Sequence, residues 1–395
     1  MNFILFDDER AEHFLPFTHT RPISEIRCGI WTLREKWESY TSIQPSYHCA
    51  KHLQVLFPIE IHPQNYFINS SCYPNDELFA KILELKNNEC LLYGDILIAA
   101  NLDATKAKSF SISETVLNCT NVHYNGAIRF LENIWDIFSQ NDKNIDEDFE
   151  RITKNKKSKK LSNTNTLIGN NIFVEESATV EGAILNSTGG PIYIGHNAEI
   201  MEGSVVRGAL ALCDKSVLKL STKIYGATTI GPGSKVGGEV NNSVLFANSN
   251  KGHDGFLGNA VLGEWCNLGA DTNNSNLKNN YDEVKIWSEA KGTFVKTGLQ
   301  FCGLFMGDHS KCGINTMFNT GTVIGVSANI FGGGFPRNFI PSFSWGGSSG
   351  MTEYKLDKAA ATTERVFARR AKEFTKADAE LMQFIFDKTQ DQRRG

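Results

Sequence analysis

Starting at Ile194, every sixth residue is aliphatic: Ile194, Ile200, Val206, Leu212, Leu218, Ile224, Ile230 and Val236. The same step runs through Ile168, Val174 and Val180, through Phe256, Leu262 and Leu268, and through Met306, Cys312, Phe318, Ile324 and Ile330. A step of six matches neither the 3.6-residue period of a helix nor the two-residue period of a strand. It suits a coil of three flat faces, about six residues each, with one side chain per face aimed at the axis. Gly195, Gly231, Gly237, Gly263 and Gly307 directly follow such positions, where a corner often needs positive φ. The pattern predicts a left-handed parallel β-helix over about 167–331. Breaks at 186–191 and 277–293 predict loops leaving its surface.

Upstream the pattern changes. Short apolar runs alternate with helix-like stretches, which predicts an α/β layer structure. Phe3 to Phe6 reads as a buried strand, 30–37 as an amphipathic helix, 66–68 as a strand and 76–85 as a helix. Leu91-Leu92 and Ile96-Leu97-Ile98 flank a turn at Gly94-Asp95, and a last helix is expected at 133–139. Lys154, Lys156, Lys157, Lys159 and Lys160 crowd a stretch that reads as a solvated linker. Downstream, Val366, Phe367, Phe374, Leu381, Phe384 and Ile385 sit at helical spacing, and Thr375 with Asp378 forms a capping pattern. This tail is expected to shield the open end of the coil. The expected organisation is an α/β domain at 1–150, a basic linker at 151–165, an all-β left-handed β-helix at 166–345 and a helical segment at 346–395.

Composition narrows the function classes. The chain has 395 residues, 41% hydrophobic and 21% charged, with a net charge of −4. That balance calls for neither nucleic acid nor an anionic membrane, and no apolar run approaches the roughly 20 residues of a membrane span. The opening residues are too soon acidic for a signal peptide. Nine cysteines form no C-x-x-C pair and are odd in number, which argues against a disulfide framework and for buried thiols in a cytoplasmic protein. No Cys/His cluster has metal-ligand spacing.

Chemistry concentrates within the repeat. Lys251-Gly252-His253-Asp254-Gly255-Phe256-Leu257-Gly258 is followed by Asn267-Leu268-Gly269-Ala270-Asp271-Thr272, then by Asn280-Tyr281-Asp282 and Lys285. This is more polar than a coil requires. His253 is poised to act as a general base near neutral pH.

The order G-H-x-x-[FY]-L-G, N-[LI]-G-A-x-T, N-Y-D and a following Lys resembles the acetyltransferase half of the bifunctional GlmU-type enzymes, especially their Bacteroidetes-type and archaeal relatives. Residues 307–315 and 320–325 look like the same branch. The resemblance implies a homotrimer that binds acetyl-CoA between adjacent prisms. It implies His253 as the base that deprotonates a sugar amine. Asn267, Asn280, Tyr281 and Lys285 would hold the acyl acceptor; the family's sugar-phosphate lysine has no counterpart near Asn242-Ser243, and Lys251 or Arg207 would stand in for it. Phe256 occupies the position of a family Tyr.

The N-terminal part resembles the nucleotidyltransferase half of the same family, of short Rossmann-like type. Leu15-Pro16-Phe17-Thr18 and Arg21-Pro22 match its L-x-P-x-T and P-K elements, with Ile23 in place of the Lys. The Gly-rich phosphate loop is replaced by Asp7-Asp8-Glu9-Arg10-Ala11-Glu12-His13. Gly would let backbone N–H groups approach a triphosphate; here Arg10 and Arg21 are the candidate phosphate ligands. The resemblance implies Mg²⁺, a nucleoside triphosphate (NTP) and a sugar-1-phosphate as cofactor and substrates. Three readings follow: a nucleotidyltransferase joined to an acyl-CoA-dependent acetyltransferase, an amino-sugar acetyltransferase alone, or an inactive trimeric scaffold.

Overall fold

The computed structural model describes residues 1–393. The chain forms two compact units. One contains residues 1–14, 20–26 and 31–134; the other contains 15–19, 27–30 and 135–395.

The first unit is a six-stranded mixed sheet. Its strands are β1 (Asn2–Phe6), β2 (Ser46–His48), β3 (Gln64–Asn69), β4 (Glu89–Tyr93), β5 (Ile96–Asp103) and β6 (Thr120–His123), ordered β2-β1-β3-β5-β4-β6. Only β5 runs antiparallel to its neighbours. All five residues of β1 are buried. Its alternation sends Phe3 and Leu5 into one core and Ile4 and Phe6 into the other, as expected of a strand covered on both faces. Helices α1 (Leu33–Thr41) and α2 (Asp76–Glu84) contribute Trp37, Leu78 and Ile82 to the first core. Thr32 and Glu35 close a capping box on α1. The chain continues through α3 (Ala104–Lys108) and α4 (Ile112–Asn118). The helix expected at 30–37 begins three residues later, because Thr32 caps it.

The second unit is a left-handed parallel β-solenoid followed by C-terminal helices. Its three faces are six strands from Thr166–Ile168 to Phe256–Gly258 (face I), nine from Ile172–Val174 to Phe339–Ile340 (face II), and ten from Thr179–Val180 to Gly350–Glu353 (face III). Ile194 pairs with Leu212 and Leu212 with Ile230, so a regular turn takes eighteen residues, or three hexads. All eight residues of the run from Ile194 to Val236 lie in one buried axial core. Two positions assigned inward by the step of six point outward. Leu167 and Leu257 take the register of the inward Leu185 and Val240, leaving Ile168 and Phe256 on the surface.

One corner is shorter than the others. From Val236 to Val240, the next inward residue, there are four positions instead of six, so the corner at Gly237-Gly238 lacks two residues. The break at 277–293 becomes an antiparallel hairpin, Lys285–Ser288 with Thr293–Lys296.

Helices α5 (Asp136–Ser139) and α6 (Asn141–Thr153) precede the solenoid, so the last helix before it extends beyond 139. The stretch read as a solvated linker is partly docked: the Lys159 N–H donates to the Val174 carbonyl at 2.8 Å, and Leu161 packs on the axial core. The C-terminal tail also differs from expectation. Met351, on an antiparallel hairpin (Ser344–Gly347 with Gly350–Glu353), packs on the axial core. Helix α7 (Leu356–Ala368) lies along the flank, with Phe367 against Trp265 at 4.6 Å and His309 at 5.6 Å between ring centroids. Helix α8 (Lys376–Lys388) brings Phe386 edge-on to Phe343.

Candidate active site

Face III alternates one outward and one inward residue per strand. Its outward column reads Lys235, Asn250, Asn267 and Lys311. The next residue of each strand, Val236, Lys251, Leu268 or Cys312, is buried. After each inward residue the chain turns towards face I, and His253 sits on one of these turns, exposed. Two glycines let the turns stack. A Cβ on Gly238 (φ +73°) would lie 2.8 Å from Asp254 Cα, and one on Gly255 (φ +110°) 2.2 Å from the Thr272 carbonyl oxygen. Gly252 is different: a Cβ there would meet nothing within 4 Å, so the space beside His253 is open.

Two grooves meet at His253. The first, of about 680 Å³, follows the short corner, with Lys219, Leu220, Gly237, Gly238, Asp254 and Asp271 around it. The second, of about 870 Å³, runs along face III past Asn267 and Trp265 to α7. It is lined by Lys219, Lys235, Lys311, Arg369 and Arg370, and by no acidic residue. Lys311 donates to the His309 carbonyl at 2.7 Å, and burial lowers its pKa. None of these five cations forms an ion pair among the described residues. An exposed imidazole at the end of a cationic groove can take a proton from a nucleophile while anionic groups of a second ligand are held along the groove.

The residues expected to form this site separate into three places. His253 and Asn267 line the second groove together. Asn280, Tyr281 and Lys285 lie on the inserted hairpin and its approach, outside both grooves. Tyr281 is 65% exposed with φ +57°, and Asn280 is turned onto Asp282, whose N–H it accepts at 3.2 Å. Lys251 is inside the solenoid, 1% exposed, and its ammonium donates to the carbonyls of Gly237 (3.1 Å), His253 (2.6 Å) and Asp254 (3.2 Å). An ammonium has three donors; all are taken, so the acceptor-binding role read for Lys251 is corrected. Sequence reading missed Lys219, Lys235, Arg369 and Arg370. Lys235 was recoverable as the residue just before an inward position, in the same column as Asn267. The two arginines reach the groove only because α7 docks there.

In the α/β unit, Asp7 and Asp8 follow β1, and Asn69 ends β3, at the carboxyl ends where open α/β sheets place ligands. Asp8 accepts from the Arg10 guanidinium at 2.5 Å and from Asn69 at 2.8 Å; Arg10 also donates to Ser71 at 2.8 Å and stacks over Phe130 at 4.6 Å. Asp7 accepts from the Ile23 N–H at 3.2 Å, and burial pushes its carboxyl up to about 7. Arg21 is buried, 6% exposed. Arg10 is thus committed to Asp8, contrary to its reading as a phosphate ligand. The residues present do not fit a protein-held Mg²⁺: both carboxylates are engaged by donors, and no group of three or more His, Cys, Asp or Glu among the described residues is arranged for a metal.

A family model described as "Sugar nucleotidyl transferase" matches residues 3–157. The chain is 29% identical over 168 residues to the "Bifunctional sugar-1-phosphate nucleotidylyltransferase/acetyltransferase" of Sulfurisphaera tokodaii, covering 42% of this chain and 41% of that protein. It is 28% identical over 196 residues to the "Bifunctional protein GlmU" of Methanococcus maripaludis, covering 50% and 41% respectively. The match therefore spans about two-fifths of the length of these relatives. Among solved structures, it is similar to the polySia specific acetyltransferase NeuO at 13% identity and a TM-score of 0.31, covering 53% of this chain and 99% of that one. Among the described residues, no helix is long and apolar enough to cross a membrane. The architecture is consistent with that of bifunctional nucleotidyltransferases and acetyltransferases, and the chain is similar to proteins of the GlmU type over part of its length.

Proposed function

We propose that the solenoid transfers an acyl group, acetyl in the simplest case, from a coenzyme A thioester to the amine of a sugar substrate. The observation that carries this reading is the exposed His253 imidazole at the end of a groove lined by five cations that form no ion pair among the described residues. The phosphates of acetyl-CoA are the anions such a groove suits. His253 takes the proton of the amine as its nitrogen attacks the thioester carbonyl; the C–S bond breaks, and coenzyme A leaves as the thiol on receiving that proton. Asn267 offers its amide to the ligand from the same groove. The exposed Leu220 (63%) and Ile314 (70%) stand on corners either side of His253, and a homotrimer in which a second copy covers them would enclose the grooves and bring Asn280, Tyr281 and Lys285 towards an acceptor.

The test is acetyl transfer from acetyl-CoA to a panel of amino-sugar phosphates and nucleotide amino sugars, read as coenzyme A release. Transfer that needs one acceptor and disappears in His253→Ala supports the reading; silence across the panel from a folded protein, with no shift in melting temperature on adding acetyl-CoA, points to a scaffold.

A second reading adds nucleotidyl transfer by the α/β unit, from an NTP to a sugar-1-phosphate with release of pyrophosphate; the family match over residues 3–157 favours it. Pyrophosphate release from a panel of NTPs and hexose-1-phosphates with Mg²⁺, lost in Arg21→Ala, would support it.

A further inference from the structure

The inward column of face III reads Val180, Ile200, Leu218, Val236, Lys251, Leu268, Cys312 and Ile330. Seven of these side chains are apolar or weakly polar, and one carries an ammonium. Such a position costs desolvation, and an apolar side chain of similar volume is often as stable or more so. Packing therefore does not explain the lysine. Its contacts point elsewhere, because all three accepting carbonyls lie on two stacked corners. Gly237 belongs to the short corner, while His253 and Asp254 form the turn of the following coil. The tie is reciprocal, since the Gly237 N–H donates back to the Lys251 carbonyl at 2.6 Å. The Asp254 carbonyl also accepts from the Asp271 N–H at 3.0 Å, which links the turn to the next coil.

We infer that Lys251 is a positioning residue, an internal staple that fixes the backbone of the His253 turn against the Gly237 corner and so sets where the imidazole stands over the groove. The catalytic part of this inference rests on the proposed acyl transfer; the structural part does not. Without the staple, the His253 carbonyl loses its donor and the Asp254 carbonyl keeps only the Asp271 N–H, so the turn is no longer tied to the Gly237 corner through Lys251. The charged and titratable groups facing the ammonium are Asp254, Asp271 and Cys312. Burial raises the Cys312 thiol above its ordinary range. Burial lowers the Lys251 ammonium to about 8. Deprotonation removes one of its three donors and turns a lone pair towards carbonyl oxygens.

The experiment is hydrogen exchange by mass spectrometry on the full chain, comparing wild type with Lys251→Met, together with acetyl-transfer kinetics. Expected are exchange at least tenfold faster over 252–256 and unchanged exchange over 304–330. The expected kinetic change is a kcat at least tenfold lower, with the KM for acetyl-CoA within twofold and the alkaline fall of kcat near pH 8 abolished. Wild-type exchange at the turn in a folded Lys251→Met protein overturns the staple; loosened exchange with wild-type kcat overturns its positioning role. If wild type transfers nothing, the acyl-transfer reading fails and the exchange result alone decides the staple. Should Lys251→Met not fold, wild-type exchange at pH 7 and pH 9, corrected for the intrinsic pH dependence, replaces it. Selective loss of protection at 252–256 supports the staple, and uniform behaviour overturns it.

Discussion

At the carboxyl ends of β1 and β3, Arg10 is closed onto Asp8, Asn69 donates to the same carboxylate, and Asp7 takes the Ile23 N–H. Along face III of the solenoid, Lys219, Lys235, Arg369 and Arg370 line one groove with no acid among its lining residues. Both places hold charges where their folds put ligands, but only one leaves the charge unbalanced. Charges satisfied by one another stabilise or specify a fold, whereas like charges facing a common space raise the energy of the empty protein and are relieved by an anion. The difference favours the solenoid as the place of the proposed anion binding.

The comparison can be broken most decisively at His253. His253→Ala should lower acetyl transfer by about 100- to 10,000-fold, the range for loss of a general base, while acetyl-CoA still protects the protein against thermal unfolding. Next comes Arg10→Ala. It leaves the Asp8 carboxylate without its charge partner, both side chains being nearly buried (11% and 6% exposed). Denaturant melts should show a loss of about 3 kcal/mol, with acetyl-CoA binding unchanged; a stability-neutral result would mean that Arg10 is held for a ligand instead.

The pH dependence of Asp7 follows in size. Its folded-state pKa of about 7 lies above the ordinary 3.8. Between those values the folded state binds the extra proton, so this group's contribution to stability falls as pH rises through that window and is level above it. Asp7→Asn should therefore be more favourable, relative to wild type, at pH 8 than at pH 5, by about 2–3 kcal/mol. Parallel pH profiles of the two proteins would contradict it. The smallest effect is expected of Arg369→Ala with Arg370→Ala. The KM for acetyl-CoA should rise roughly tenfold and depend less on salt, with stability changed by under about 0.5 kcal/mol.

The solenoid was legible because its core repeats: each coil asks for an aliphatic at the same three places, and Ile194 to Val236 supply them without exception. The same regularity misplaced Ile168 and Phe256, where a corner gains or loses a residue and the register moves by one. The α/β unit showed its buried strands and the Gly94-Asp95 hairpin, but β2 and β6 are too short to carry a pattern. His253 and Asn267 were legible as polar residues in excess of what a coil needs. The burial of Lys251 was not, because a lysine in a polar-looking segment reads as exposed until the register shows that it occupies an inward position. Arg369 and Arg370 depend on where a helix docks, which local periodicity does not encode.

The two residues missing from the Gly237-Gly238 corner leave a gap in the ridge that the other coils build, between Leu220 on one side and His253 on the other. The first groove is that gap. Its depth is thus written in chain length, independently of any side chain lining it. Restoring a full hexad there, by inserting two small residues after Gly237, would make the coil more regular and fill the groove. The more perfect repeat would be the one without this groove.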